Sequence, residues 1–133
     1  MSAATMDLFE RYHACWADHD PDRIAELHTP DSIFHLHSGS KPAHGREEIR
    51  ASAADTFALV PDLTFTLVNL RVGEDFWVVQ WKLSGTSATG GAVDVDLADV
   101  VFVENGAVKE KHSYVDGVAM AATLTPPANA EIS

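Results

Sequence analysis

Cysteine is nearly absent from this chain of 133 residues. Cys15 stands alone, so no intrachain disulfide can form and the core must hold without one. A lone thiol fits a reducing compartment, and a cytoplasmic location is the expectation. Met1 to Thr5 lacks a basic stretch leading into an apolar one, so no secretory signal is expected there. No apolar run approaches the roughly 20 residues needed to span a bilayer. Basic residues are scarce as well: 9 stand against 20 acidic ones, for a formal net charge of -11. That balance repels a phosphate backbone and an anionic membrane surface, which argues against nucleic acid and membrane as partners. A neutral or apolar small molecule is the ligand to expect. There is no glycine-rich phosphate loop and no zinc-binding motif, so no cofactor and no metal are expected. No segment repeats, and the length suits one domain, with residues 6–124 as its body and residues 1–5 and 125–133 as flexible ends.

What the chain does contain is 46% hydrophobic residues in patterns that change period along its length. Leu8, Tyr12, Cys15, Trp16 and His19 recur at spacings of three and four, which predicts an amphipathic helix over 6–19. Asp20-Pro21 starts a second helix with a capping side chain and a first-turn proline, and Thr29-Pro30 stops it. Residues 32–37 read as a short strand and 38–45 as a loop. Glu47 and Glu48 open a third helix whose apolar stripe is Ile49, Ala53 and Phe57. Beyond Pro61-Asp62 everything reads as sheet. The strands are 63–72, 76–85, 93–103 and 107–116, with turns at Gly73-Glu74-Asp75, 87–91 and Glu104-Asn105-Gly106. The expected class is α+β: a curved antiparallel sheet wrapped around three N-terminal helices, cone-shaped, with a cavity between sheet and long helix.

Several residues stand out against this frame. Asp99 is a carboxylate in the apolar run Leu97 to Val103; buried, it would stay protonated and could donate to an oxyanion, or else it forms a salt bridge or reaches water at a bulge. Glu110, His112, Tyr114 and Asp116 alternate and share one face, either a polar pocket wall or a wet outer face, with Lys109, Lys111 and Ser113 opposite. Tyr12 is core by its spacing, with a hydroxyl that needs a partner. His35 and His37 also alternate; His-x-His is a metal-ligand spacing, but no third ligand accompanies it in the sequence, so a proton carrier is the preferred reading. Trp77, Val79, Trp81 and Leu83 face the core, and the two tryptophans, with Trp16, either pack there or form the wall of a ligand pocket. Cys15 lies on the buried side of its helix with no base arranged beside it and is not read as a nucleophile.

The element order resembles a known family. Pro61-Asp62-Leu63, Gly85-Thr86, Phe102-x-x-Asn105-Gly106-x-Val108-x-Glu110, His112-x-x-x-Asp116 and the early Asp31-x-x-x-His35 with Gly45-Arg46-Glu47 are similar to the SnoaL-like polyketide cyclases. The resemblance covers residues 6–120 and implies the fold of nuclear transport factor two and a homodimer. It implies that Asp116 is the acid/base for an intramolecular aldol closure, helped by His35. The ketosteroid isomerases, more distant, imply an oxyanion hole from Tyr12 and Asp99; Leu36 stands at the position of their general base. The function expected is therefore cofactor-free cyclisation or isomerisation of an apolar carbonyl compound. Asp116, His112, Asp99, Tyr12 and His35 would be the catalytic set, and Trp16, Trp77, Trp81, Tyr114 and His37 would contact substrate. The alternatives are a non-catalytic binding or dimerisation module and an isomerase-like activity with an altered base.

Overall fold

The computed structural model describes residues 2–38 and 41–124. In chain order the elements are α1 (Ser2–Ala17), α2 (Pro21–Glu26), β1 (His28–His37), β2 (Ala43–His44), α3 (Gly45–Leu59), β3 (Thr64–Val72), β4 (Phe76–Thr86), β5 (Ala92–Glu104), β6 (Ala107–Val115) and α4 (Gly117–Leu124). The class is α+β, as the alternation of periods predicts. α1 buries Leu8, Phe9, Tyr12, Cys15 and Trp16 along one stripe. It starts earlier than its apolar pattern: Thr5, expected in a flexible end, is buried, and its hydroxyl donates to the Glu74 carbonyl. The Asp20 side chain accepts from the Arg23 amide at 3.2 Å and caps α2 ahead of Pro21. The expectation for 125–133 lies outside the described residues.

The sheet runs β2-β1-β6-β5-β4-β3. Its four C-terminal strands pair antiparallel in hairpin order, as expected. The sheet is nevertheless wider than four strands, because β1 joins β6 in parallel and β2 pairs with β1. The β5–β6 turn places Asn105 at φ +54° and Gly106 at φ +76°, the two left-handed residues that a tight hairpin requires. Gly85, at φ +147°, lets Asp62 Oδ1 approach to where a Cβ would stand only 2.8 Å away; that oxygen accepts from the Thr86 amide at 2.7 Å.

Strand parity decides what reaches the helices. In β4, Trp77, Val79, Trp81 and Leu83 are buried, while Gln80 and Lys82 are exposed. In β6 the expected parity is inverted. Phe102 pairs with Glu110 and Val103 with Val108, so Lys109 is an extra residue on the β6 side, a β-bulge. The alternation slips by one there. Val108, Lys111 and Ser113 all turn inward, and Glu110, His112 and Tyr114 turn outward.

Deleting Lys109 should therefore leave Val108 and Lys111 inward on a regular strand and preserve the cooperative urea transition. Lys109→Ala, which keeps the extra residue, should preserve it as well. A deletion variant that loses the transition would show that Lys109 is not the surplus residue.

Candidate functional site

A cavity of about 300 Å³ lies between the concave sheet face and the helices. Trp16, Phe34, Leu36, Leu63, Phe65, Leu83 and Leu97 give it an apolar wall, and Met120 of α4 joins them. Polar side chains interrupt that wall, among them His13 of α1, Thr56 of α3, Asp99 of β5, and Lys111 and Ser113 of β6. The β5–β6 register sets Asp99 opposite Ser113 and Val101 opposite Lys111, and β1 brings Phe34 beside Lys111.

Lys111 is 3% exposed although it is a lysine. Its Nζ lies 3.9 Å from Asp99 Oδ2 and donates to the Tyr12 hydroxyl at 3.3 Å. It also lies over aromatic faces, 4.3 Å from the Trp16 ring centroid, 4.8 Å from that of Tyr12 and 5.1 Å from that of Phe34. Ser113 Oγ donates to Asp99 Oδ1 at 2.5 Å. Behind Lys111, the Tyr12 hydroxyl meets His28 Nε2 at 2.8 Å, and His28 Nδ1 meets Ser32 Oγ at 2.9 Å. His28 and Ser32 are both fully buried and share the strand parity of Phe34 and Leu36. Arg46 Nε closes the chain on the His28 carbonyl at 2.9 Å.

Burial pushes the Tyr12 hydroxyl up, against the opposing pull of Lys111. Burial, reinforced by the charges of Lys111 and Arg46, brings His28 down to about 3. His13 is held well below the ordinary imidazole value by burial first and Lys111 second. Both imidazoles are thus neutral at pH 7. Neither ring nitrogen of His13 has a hydrogen-bond partner among the described residues, although both are buried. The ring packs against Phe9 and Trp81 at centroid distances of 4.7 and 4.6 Å. A neutral imidazole with one free donor and one free acceptor is equipped to meet a polar ligand atom.

Of the residues expected at the site, Asp99 and Trp16 line the cavity, and Tyr12 stands directly behind Lys111. Asp99 faces an ammonium and a hydroxyl donor, so it is not the isolated carboxyl expected for oxyanion donation. Asp116 does not reach the cavity. It is exposed at the end of β6, and its Oδ1 accepts from the Ala119 amide at 3.1 Å, capping α4. His112 and Tyr114 point outward because of the β6 bulge, and His35 and His37 do so because Phe34 and Leu36 take the inner positions of β1. Trp77 and Trp81 are core residues that pack on α1 without lining the cavity. Cys15 is buried, and its thiol donates to the Arg11 carbonyl. The sequence reading missed His13, His28, Lys111 and Ser113. His13 carried a signal, since Phe9, His13 and Trp16 follow the helical spacing of α1's buried stripe. Lys111 carried none, because both faces of β6 are polar.

Two solution measurements follow from this arrangement. The unfolded chain takes up protons at His13 and His28 as pH falls below about 6.5, while the folded state refuses them until far lower pH. Stability should therefore fall from pH 6.5 to pH 5, by up to about 1.4 kcal/mol per pH unit for each group. His13→Phe should flatten the profile of urea unfolding free energy, whereas an equally steep profile in that variant would contradict the assignment. Lys111→Met should lose about 3–5 kcal/mol by stranding Asp99, and Lys111→Met with Asp99→Leu should recover much of it. A double variant no more stable than the single one would show that the pair is not the source of the loss.

The sequence profile of the SnoaL-like domain matches residues 9–111. No curated protein sequence matches the chain significantly. Solved structures share the fold. A candidate SnoaL-like polyketide cyclase from Jannaschia sp. CCS1 superimposes with a TM-score of 0.78 at 24% identity, over 92% of this chain and 94% of that one. A protein with a ketosteroid isomerase-like fold from Catenulispora acidiphila DSM 44928 gives 0.80 at 18%, over 92% and 95%. A nuclear transport factor two-like protein of unknown function from Burkholderia pseudomallei K96243 gives 0.85 at 16%, over 92% and 98%. No helix among the described residues is long and apolar enough to cross a membrane. With the profile matched over most of its length and the cone-shaped fold in place, the chain belongs to the SnoaL-like domain family.

Proposed function

We propose that this protein binds an apolar carbonyl compound in its cavity and moves a proton on the carbon beside the carbonyl, as a cofactor-free cyclase or isomerase does. The observation that carries this reading is the Asp99–Lys111 pair, with Ser113, buried in the wall of an otherwise apolar cavity. Burying two charges is expensive, and an apolar core would serve stability as well or better. The volume, about 300 Å³, stands at the lower end of the range for small-molecule sites.

In this mechanism the substrate's carbonyl oxygen accepts an N–H of Lys111. The ammonium offsets the negative charge that grows on that oxygen as the enolate forms. Asp99, steadied by the Ser113 hydroxyl, takes the proton from the adjacent carbon. Leu36, two strands away on the same sheet face, offers no carboxylate, which favours Asp99 in this role. Isomerisation returns the proton to a different carbon. Ring closure instead joins the enolate carbon to a second carbonyl of the same molecule, whose oxygen then receives the proton. His13 holds a further oxygen from the helix side, and Tyr12, backed by His28 and Ser32, positions Lys111.

The test is deuterium exchange at the carbon beside the carbonyl, followed by NMR in heavy water, for a panel of small apolar diketones. The parent should accelerate exchange of at least one of them. Asp99→Asn should slow it by about 10²–10⁴-fold; because the variant strands Lys111 and loses stability, exchange is compared at a temperature where its near-UV circular dichroism still matches the parent's. Asp116→Asn, remote from the cavity, should exchange at the parent rate. Tight binding without exchange would favour a binding module of the same fold, and unimpaired exchange in Asp99→Asn would overturn the assignment of the base.

A further inference from the structure

The outer face of the β1–β6 pair carries a second constellation, separate from the cavity. The parallel register sets His35 beside His112 and His37 beside Tyr114, two residues further along both strands. One ring nitrogen from each of His35, His37 and His112 lies within 4.8 Å of the other two. The rings of His35 and His37 are 3.7 Å apart between centroids, and those of His37 and His112 are 5.2 Å apart. Tyr114 stacks on His37 at 4.3 Å with an interplanar angle of 10°, which limits rotation of that imidazole.

The hydrogen bonds assign the nitrogens. His112 Nε2 lies 2.7 Å from Glu110 Oε2. A carboxylate only accepts, so that nitrogen carries the proton and the lone pair of neutral His112 is on Nδ1. Nδ1 in turn lies 2.9 Å from His37 Nε2. Two imidazole nitrogens thus converge on one point, with a carboxylate bound to the far side of one ring. That is the arrangement by which a carboxylate orients and strengthens a histidine ligand of a metal.

We propose that His35, His37 and His112 form a binding site for a divalent zinc-class cation, with Glu110 orienting His112. Three imidazoles suit zinc, which commonly takes three protein ligands and leaves a fourth position open. Nitrogens on one tetrahedral zinc stand about 3.3–3.4 Å apart at the usual zinc–nitrogen distance. The widest separation therefore has to close by up to about 1.5 Å, and the 2.9 Å contact of His37 with His112 to open by about 0.4 Å, within reach of side-chain rotations on half-buried residues. The cation replaces the contact between His37 and His112 and leaves the one to Glu110 intact. The formal net charge of -11 favours cation uptake generally, and the imidazoles make this face selective. The sequence showed only the His35-x-His37 pair; the parallel pairing of β1 with β6 supplies the third ligand from 75 residues away.

The experiment is calorimetric titration of zinc chloride into the full chain, tag-free and stripped with chelator. The expected result is saturation at one zinc per chain. His35→Ala and His112→Ala should each weaken binding by at least about tenfold, and Glu110→Gln by about tenfold, within the range for outer-sphere partners. His19→Ala, whose imidazole is engaged with the Leu63 carbonyl elsewhere, should bind like the parent. Imidazole NMR on the unmodified chain provides a readout that needs no variant: zinc should move the ring resonances of His35, His37 and His112 and leave those of His13 and His28. No saturable uptake, uptake unchanged by the His35 and His112 variants, or one zinc shared between two chains would each overturn the proposal.

Discussion

A buried ammonium is the constraint on which the interior depends. Lys111 Nζ has almost no contact with solvent, and an unpaired charge in such a place would cost about 3–5 kcal/mol, a large share of a small domain's stability. Each neighbouring element contributes to holding it. Asp99 on β5 supplies the counter-charge, Tyr12 on α1 an oxygen, and Trp16 and Phe34 the electron-rich ring faces. Tyr12 then requires a partner of its own, which β1 provides with the buried His28, itself backed by Ser32. One charge thus ties α1, β1, β5 and β6 together, and does so at the wall of the cavity on the concave side of the sheet.

The two faces of the β1–β6 pair separate two kinds of chemistry. Inside, a lysine, a carboxylate and a hydroxyl stand among apolar side chains, where electrostatic interactions are strong and water is excluded. Outside, three imidazoles and Glu110 stand half-buried or exposed, on positions that alternate with the inner ones. On β6, a single extra residue at Lys109 decides which side chains face which way. The bulge therefore acts as a specificity device as much as a structural one: the same residues running on from inward Val108 in a regular strand would turn the acid, not the lysine, into the core.

The three N-terminal helices, the hairpins and the register of β4 were legible because their determinants are local, whereas α4 was not expected. Helical spacing marks α1, Asp20-Pro21 marks the start of α2, Asn105-Gly106 marks the last hairpin, and strict alternation in β4 leaves one choice of face. Asp99 and Tyr12 were legible as polar groups on apolar elements that demand partners. The orientation of β6 was not. Lys109, Lys111 and Ser113 on one face and Glu110, His112 and Tyr114 on the other offer no apolar pattern to choose between, and a bulge of one residue leaves no local mark. The pairing of β1 with β6 links segments about 75 residues apart, so neither the burial of His28 nor the histidine trio could be read from spacing. Asp116 fitted a family pattern, but its local surroundings make it a helix cap.

The central claim is that the ammonium of Lys111 lies inside the protein. Lysine acylation mapped by mass spectrometry measures this directly, because the chain has only Lys41, Lys82, Lys109 and Lys111 to compare. The account predicts that Lys41, Lys82 and Lys109 react readily in the native protein while Lys111 stays unmodified until denaturant is added. Acylation of native Lys111 at the rate of Lys82 would place its side chain on the outer face and contradict the account.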